Sequence, residues 1–167
     1  KEQISVVVNY LSEVEQIDWI GAVGFSAGAS ALALAVPHTK DLQAVVLMGN
    51  FSNLQSEISY TSYKTGSIGW LGQEAVPIWY WVFTGNHVKD VSPLVAYDDY
   101  MAIKVLMIHG EYESQRTQAQ YQLNMLNENE DVGASLWIVP QAYHGMYYDA
   151  AGETYVKRVV DFFDETD

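Results

Sequence analysis

Four short apolar segments alternate with segments of helical periodicity, and this alternation constrains the fold more than any other feature of the chain. The apolar segments are 19–25, 43–48, 103–108 and 135–139, and the helical patterns cover 3–16, 27–36, 116–127 and 152–163. The apolar segments are hydrophobic on both faces, as strands are when helices cover both sides of a parallel sheet. We therefore predict an α/β fold with a mostly parallel sheet flanked by helices.

The periodic segments also predict which side of each terminal helix is buried. The apolar positions of the first helix are Ile4, Val7, Val8, Leu11 and Val14, and those of the last are Val156, Val159, Val160 and Phe163. Residues 51–98 show no clear periodicity; they are polar and glycine-bearing at first and then aromatic.

Composition restricts the class of protein and its partners. The length of 167 residues suits a single domain, 1–167, with its own core. A net charge of −13 repels phosphate backbones, which argues against nucleic acid as a partner. No apolar run reaches the ~18 residues that span a bilayer, and the start of the chain leads straight into a helical pattern, so we expect neither a membrane span nor a signal peptide. The chain has no cysteine, which excludes thiolate catalysis and disulfides.

Residues 24–28 read Gly-Phe-Ser-Ala-Gly, the G-x-S-x-G pattern of a nucleophilic serine between a strand and a helix. On such a tight turn the hydroxyl of Ser26 projects into solvent, and the N–H of Ala27 at the helix start is a candidate oxyanion donor. We expect Gly24 and Gly28 to be required, because a Cβ at either position would clash with neighbouring elements. The alternative is a small-residue turn without chemistry.

A second polar group of residues follows the third apolar segment, where the chain reads His-Gly-Glu-Tyr-Glu from His109. A carboxylate just past a buried strand can orient an imidazole. Glu111 lies closer to the strand end and Glu113 deeper in the loop, and the residues alone leave both open. A metal site at His109, Glu111 and Glu113 lacks a second histidine nearby in sequence, and we predict neither metal nor cofactor.

His144 follows the fourth apolar segment, in a loop that begins at Pro140. A neutral imidazole near pH 7 is suited to take a hydroxyl proton and return it to a leaving group. A packed or surface position is the alternative for any single histidine. The order serine, acid, histidine after three strand ends is that of one hydrolase architecture and differs from the two protease orders.

With these motifs the sequence resembles the α/β-hydrolase family, in particular its esterase and dienelactone-hydrolase-like members. GFSAGA resembles the nucleophile elbow, SPLVAYDDYMAIKVLMIHGEYE the approach to the acid loop, and AYHGMYYD the histidine loop. The family pattern H-G-x-x-D aligns its acid with Glu113. The resemblance thus implies a triad of Ser26, Glu113 and His144, with His109 as a structural residue and residues 51–98 as a lid-like insertion.

The sequence departs from the family pattern in two ways. The loop after the acid is short, and the amino-terminal third of the family is missing, including the loop that supplies the other oxyanion donor. We therefore expect a hydrolase sheet truncated on its amino-terminal side, and we expect the edge strand 19–25, which would otherwise be exposed, to be covered. A second copy of the chain, a separate amino-terminal fragment or a rearranged helix 3–16 would each cover this edge.

The resemblance implies a serine esterase that cleaves a small or medium ester through an acyl-enzyme. The alternative is a non-catalytic or incomplete hydrolase fragment acting as a binding or assembly module, and acyl transfer to an acceptor other than water is a third possibility. Aromatic residues of the insertion would line a pocket or pack the lid onto the body: Trp70, Trp79, Tyr80, Trp81 and Phe83. We expect packing for at least half of the last four.

Overall fold

The structure is a computed structural model that describes residues 2–64 and 69–166. Residues 65–68 of the predicted insertion and the side chain of Trp70 lie outside the described residues.

Four parallel strands form one sheet in the order β1-β2-β3-β4. Their bounds are β1 Gly21–Phe25, β2 Ala44–Met48, β3 Ile103–Gly110 and β4 Val132–Val139. The predicted parallel sheet is confirmed. Strand β4 begins three residues earlier than the apolar pattern indicates, because Val132, Gly133 and Ala134 already pair with the start of β3. Backbone pairing, and not side-chain hydrophobicity, sets this end of the strand.

Helices connect and cover the strands. Their bounds are α1 Glu2–Asn9, α2 Ala27–Ala35, α3 Leu54–Lys64, α4 Gly69–Thr84, α5 Pro93–Ala96, α6 Arg116–Asn127, α7 Tyr147–Ala151 and α8 Glu153–Asp164. A π-helical turn, Tyr10–Val14, extends α1. Helices α3, α4 and α5 occupy the segment without visible periodicity. Helix α4 shows none because it is apolar on all sides and contains Pro77.

The core consists of two apolar layers, one on each face of the sheet. Alternate residues of the central strands face opposite layers, as the pleat of a strand requires. The layer that includes α2 and α6 contains Val45, Leu47, Val105 and Met107, and the layer that includes α8 contains Val46, Met48, Leu106 and Ile108.

The two terminal helices bury a narrower face than their sequence pattern predicts. Helix α1 packs through Ile4, Val8 and Leu11, whereas Val7 is 57% exposed and Val14 is 62% exposed. The residues of α8 that pack are Tyr155, Val159, Phe162 and Phe163. Val156 and Val160, predicted on the buried side, are 39% and 48% exposed.

Strand β1 is an edge of the described sheet. Among residues 2–64 and 69–166, only β2 pairs with it. Helix α1 packs against α2 and leaves Val23 of β1 52% exposed. Helix 3–16, one of the three covers expected for this edge, therefore does not cover it. In the same part of the chain, no helix has the length and apolar character needed to cross a membrane.

Candidate active site

Three side chains that follow different strands meet at one rim of the sheet. Ser26 follows β1, Glu113 lies in the loop after β3, and His144 lies in the loop after β4. The Ser26 Oγ is 3.0 Å from Nε2 of His144, and Nδ1 of the same ring is 3.4 Å from Oε1 of Glu113. The parallel order brings them together, because the carboxyl ends of all four strands share this rim.

Ser26 occupies a backbone conformation that non-glycine residues rarely adopt, with φ 53° and ψ −122°. Its N–H donates to the carbonyl of Met48 at 2.7 Å, which ties the turn to the end of β2. Strain of this kind persists where the surrounding structure fixes it, and such sites are often functional. Ala27 begins α2 and lines the same cleft as Ser26.

The two glycines of the serine turn have different roles. A Cβ on Gly24 would lie 2.6 Å from Cα of Ala29, so only glycine fits between strand and helix. A Cβ on Gly28 would meet no described atom within 4 Å. The expectation that Gly28 is sterically required is therefore wrong. The sequence pattern could not show this, because it reports spacing and not the distance to neighbouring elements.

The structure places the two candidate acids differently. Glu113 faces His144, whereas Oε2 of Glu111 accepts the backbone N–H of Gln141 at 2.9 Å. Glu111 thus joins the acid loop to the histidine loop. Gly110 permits this close approach, since a Cβ there would lie 2.3 Å from the carbonyl oxygen of Ala142.

The Glu113 carboxylate is buried and receives hydrogen bonds on both oxygens. Nδ1 of His109 lies 3.0 Å from Oε2, and the hydroxyl of Tyr147 donates to Oε1. Burial alone would raise the pKa of Glu113, but the hydrogen bonds from His109 and Tyr147 outweigh it and hold the pKa below its ordinary value of 4.5. Burial, together with the hydrogen bond to Glu113, raises the pKa of Tyr147, so its hydroxyl remains a donor.

A chain of buried polar side chains continues behind Glu113. Nε2 of His109 lies 3.2 Å from Oδ1 of Asn50, whose Nδ2 donates to Oε1 of Gln122 at 2.7 Å. The Tyr97 hydroxyl donates to the same oxygen at 2.6 Å. No sequence motif assigns a function to Asn50 or Tyr147. Their only signal in the sequence is their position: Asn50 is the second residue after β2, and Tyr147 follows His144 by three residues.

His144 is held from two sides while remaining open to the cleft. Its side chain is 41% exposed, and its ring lies 5.0 Å, centroid to centroid, from that of Phe25. Gly49 lies on the other side, with φ +59°. A Cβ on Gly49 would lie 2.6 Å from Cε1 of His144 and 2.7 Å from the Tyr147 hydroxyl. The absence of a side chain at residue 49 therefore makes room for the imidazole.

A cleft of about 550 Å³ opens over Ser26 and His144. Its aromatic walls are Phe51, Tyr60, Tyr112 and Tyr143, none of which belongs to a motif in the sequence that predicts a pocket wall. Three aromatic residues of α4 lie outside this cleft: Trp79, Trp81 and Phe83 are 58%, 51% and 80% exposed. The expectation that at least half of Trp79, Tyr80, Trp81 and Phe83 pack the lid onto the body is therefore wrong.

The acid loop does not arrange its side chains as a metal site. His109 and Glu113 bond to each other, and Glu111 bonds to the backbone of the neighbouring loop. Within residues 2–64 and 69–166, no three His, Asp or Glu side chains gather where they could hold a metal ion.

Comparisons with known proteins identify the architecture. No family model and no curated protein sequence matches the chain. Among solved structures, an esterase of Pyrococcus furiosus superposes with a TM-score of 0.68 at 17% identity. The superposition covers 98% of this chain and 60% of the esterase. An acylaminoacyl peptidase of Pyrococcus horikoshii superposes with a TM-score of 0.69 at 17% identity. This superposition covers 99% of this chain and 27% of the peptidase. The chain has an α/β-hydrolase fold.

A third similar structure agrees with this assignment. Esterase B of Lactobacillus rhamnosis superposes with a TM-score of 0.69 at 14% identity, covering 98% of this chain. These neighbours are two esterases and a peptidase, all of the α/β-hydrolase class, and at identities of 14–17% the likeness shows the fold. The chain spans about 60% of the length of the two esterases.

Proposed function

We propose that this chain is a serine hydrolase that cleaves a carboxylic ester through an acyl-enzyme. Ser26 is the nucleophile, His144 the general base and acid, and Glu113 the group that orients and stabilises the imidazole. The observation that carries the proposal is the 3.0 Å contact of the Ser26 hydroxyl with His144, continued at 3.4 Å to a buried carboxylate. A nucleophile, a base and an orienting group in hydrogen-bonding series form the arrangement that activates a weak nucleophile.

The reaction proceeds in two halves. His144 takes the hydroxyl proton through Nε2 while Ser26 Oγ attacks the acyl carbon, and the resulting imidazolium gives the proton to the leaving alcohol. The acyl group is then bonded to Oγ, and His144 takes a proton from the water that attacks the acyl carbon. The acyl–Oγ bond breaks, the carboxylic acid leaves, and the imidazolium returns the proton to Oγ of Ser26. In this proposal the N–H of Ala27, the first residue of α2 and part of the cleft lining, donates to the developing oxyanion. Glu113 stays ionised throughout, which its lowered pKa supports.

The remaining parts of the chain fit this reaction. Residues 51–98 act as a lid-like insertion, because α3 within them lines the cleft through Leu54, Glu57 and Tyr60. Both oxygens of Glu57 accept Nε2 of Gln115, at 2.9 and 3.0 Å, which closes α3 against the acid loop. A small or medium ester suits the volume of about 550 Å³.

Hydrolysis of p-nitrophenyl butyrate by the 167-residue chain and by Ser26→Ala tests the proposal. We expect the variant to lose at least about 10³-fold in kcat, because removing a nucleophile leaves only binding and oxyanion contributions. Ser135→Ala is the matched control: Ser135 is an exposed serine on β4 outside the cleft, and its variant retains the wild-type rate.

A non-catalytic binding or assembly module is the second candidate. The chain spans about 60% of the esterases that it resembles, and the second oxyanion donor is not identified within it. Losing one such donor costs about 10²–10³-fold in rate. Equal rates for the chain and for Ser26→Ala would support the module and contradict the hydrolase.

A further inference from the structure

A second cleft lies next to the one that contains Ser26. It measures about 560 Å³ and is lined in part by Ala31, Leu34 and Tyr80. Two residues line both clefts, Ala27 and Phe51. The two clefts therefore meet at the start of α2, beside the nucleophile.

Phe51 is fixed at this boundary through its backbone. Its N–H donates to Oγ of Ser30 at 3.1 Å, and Ser30 is buried in the first turns of α2. The ring belongs to a residue of intermediate exposure and borders both clefts. Its backbone is anchored, so a change of side chain at residue 51 alters the boundary and leaves the loop attached to α2.

The boundary coincides with the reacting position. If the N–H of Ala27 receives the oxyanion, then the acyl carbon lies between Ser26 and Ala27 when it is attacked, directly beside Phe51. A chain attached to this carbon has the first cleft on one side of Phe51 and the second cleft on the other, because Phe51 lines both. The described lining of the second cleft contains Glu2 and Asp90 but no Lys or Arg, so a chain admitted to that cleft is favoured when it is uncharged.

We propose that Phe51 is the specificity-determining residue that closes the second cleft and restricts the enzyme to short acyl groups. This inference rests on the proposed function. Shortening the side chain joins the two clefts and admits longer acyl chains, and enlarging it narrows the passage further.

The experiment measures kcat/KM for p-nitrophenyl acetate and p-nitrophenyl octanoate. We expect Phe51→Ala to raise the octanoate-to-acetate ratio by about tenfold or more, since each newly buried methylene contributes a factor of about four. Phe51→Trp lowers the ratio below that of the wild type. Phe83→Ala is the matched control: Phe83 is 80% exposed on α4, lines neither cleft, and its variant keeps the wild-type ratio.

A second measurement and a second variant test the chain-length preference if Phe51→Ala folds poorly. Ser26 is labelled covalently with a short-chain and with a long-chain alkyl fluorophosphonate, and intact mass gives the two labelling rates. Their ratio reports chain-length preference without turnover. Phe51→Leu is included because it shortens the side chain less than Phe51→Ala. An unchanged ratio in all the Phe51 variants, with a wild type that depends on Ser26, overturns this inference alone. A wild type that neither hydrolyses the esters nor is labelled overturns the proposed function and this inference together.

Discussion

The Glu113 carboxylate is buried and ionised because His109 and Tyr147 direct donors at its two oxygens. A carboxylate that loses water on burial costs free energy unless such hydrogen bonds replace the lost solvation. The two donors also fix the direction of Oε1, which faces Nδ1 of His144. At the residue scale, the geometry of the candidate site thus depends on residues that do not touch the reacting atoms.

The lowered pKa of Glu113 makes the stability of the fold depend on pH. Because the unfolded chain binds this proton at higher pH than the folded chain, the contribution is complete above the ordinary value of 4.5 and is lost as the pH falls through the lower, folded value. We expect the free energy of unfolding of the wild type to exceed that of Glu113→Gln at pH 7 and the difference to narrow below pH 4.5. Urea unfolding of both proteins at several pH values measures this difference in unfolding free energy.

Glu111→Gln is the control for this experiment, because it makes the same substitution two residues away and leaves Glu113 in place. Its unfolding free energy should follow the pH dependence of the wild type. A difference between the wild type and Glu113→Gln that stays constant from pH 7 to pH 3 would contradict the assigned direction of the shift.

At the scale of elements, only the first of the two glycines in the turn between β1 and α2 is closely packed. Gly24 lies against the backbone of α2, whereas a side chain at Gly28 would meet no described atom within 4 Å. We expect Gly24→Ala to destabilise the chain by about 1–3 kcal/mol, the usual cost of overpacking. Gly28→Ala should leave stability unchanged or raise it by up to about 1 kcal/mol, because alanine favours the helix. Thermal unfolding compares the stabilities of the two variants, and an equal loss of stability in both would contradict the different packing of the two glycines.

Elements differ in how well their sequence predicts them. Helix α6, Arg116–Asn127, has the predicted bounds because one face repeats regularly against the sheet. Helices α3 and α4 could not be predicted from periodicity, since α4 is apolar all round and packs against α3 instead of the sheet. Trp79, Trp81 and Phe83 of α4 remain exposed, and residues from four separate segments form the walls of the cleft.

At the scale of the whole molecule, the open edge of β1 controls behaviour in solution. Val23 and Phe25 are 52% and 45% exposed, and unpaired strand edges tend to associate. The net charge of −13 opposes association and is screened by salt. We expect the apparent mass of the chain, measured by size exclusion with light scattering, to rise with protein concentration and with ionic strength.

Two lysine variants separate the edge from general charge effects. Val23→Lys places a charge on the edge strand and should reduce the association. Val160→Lys changes the net charge equally at a position on α8 that is 48% exposed, and should behave like the wild type. A monomer at every concentration and salt level, or identical behaviour of the two variants, would refute association through β1.

The sequence predicts the order of the four strands and of the helices that alternate with them, but not α3, α4 and α5, and it predicts three of the polar positions at the strand ends. Short apolar segments and tight turns are local features, so Ser26, Glu113 and His144 could be placed after their strands. The choice between Glu111 and Glu113, which the residues leave open and the family resemblance assigns to Glu113, depends on which carboxylate faces His144 in the folded chain. The folded chain also shows that Asn50, His109 and Tyr147 support Glu113 and that Gly49 leaves room for the imidazole. These outcomes depend on distances between segments up to about a hundred residues apart, which a local pattern does not contain.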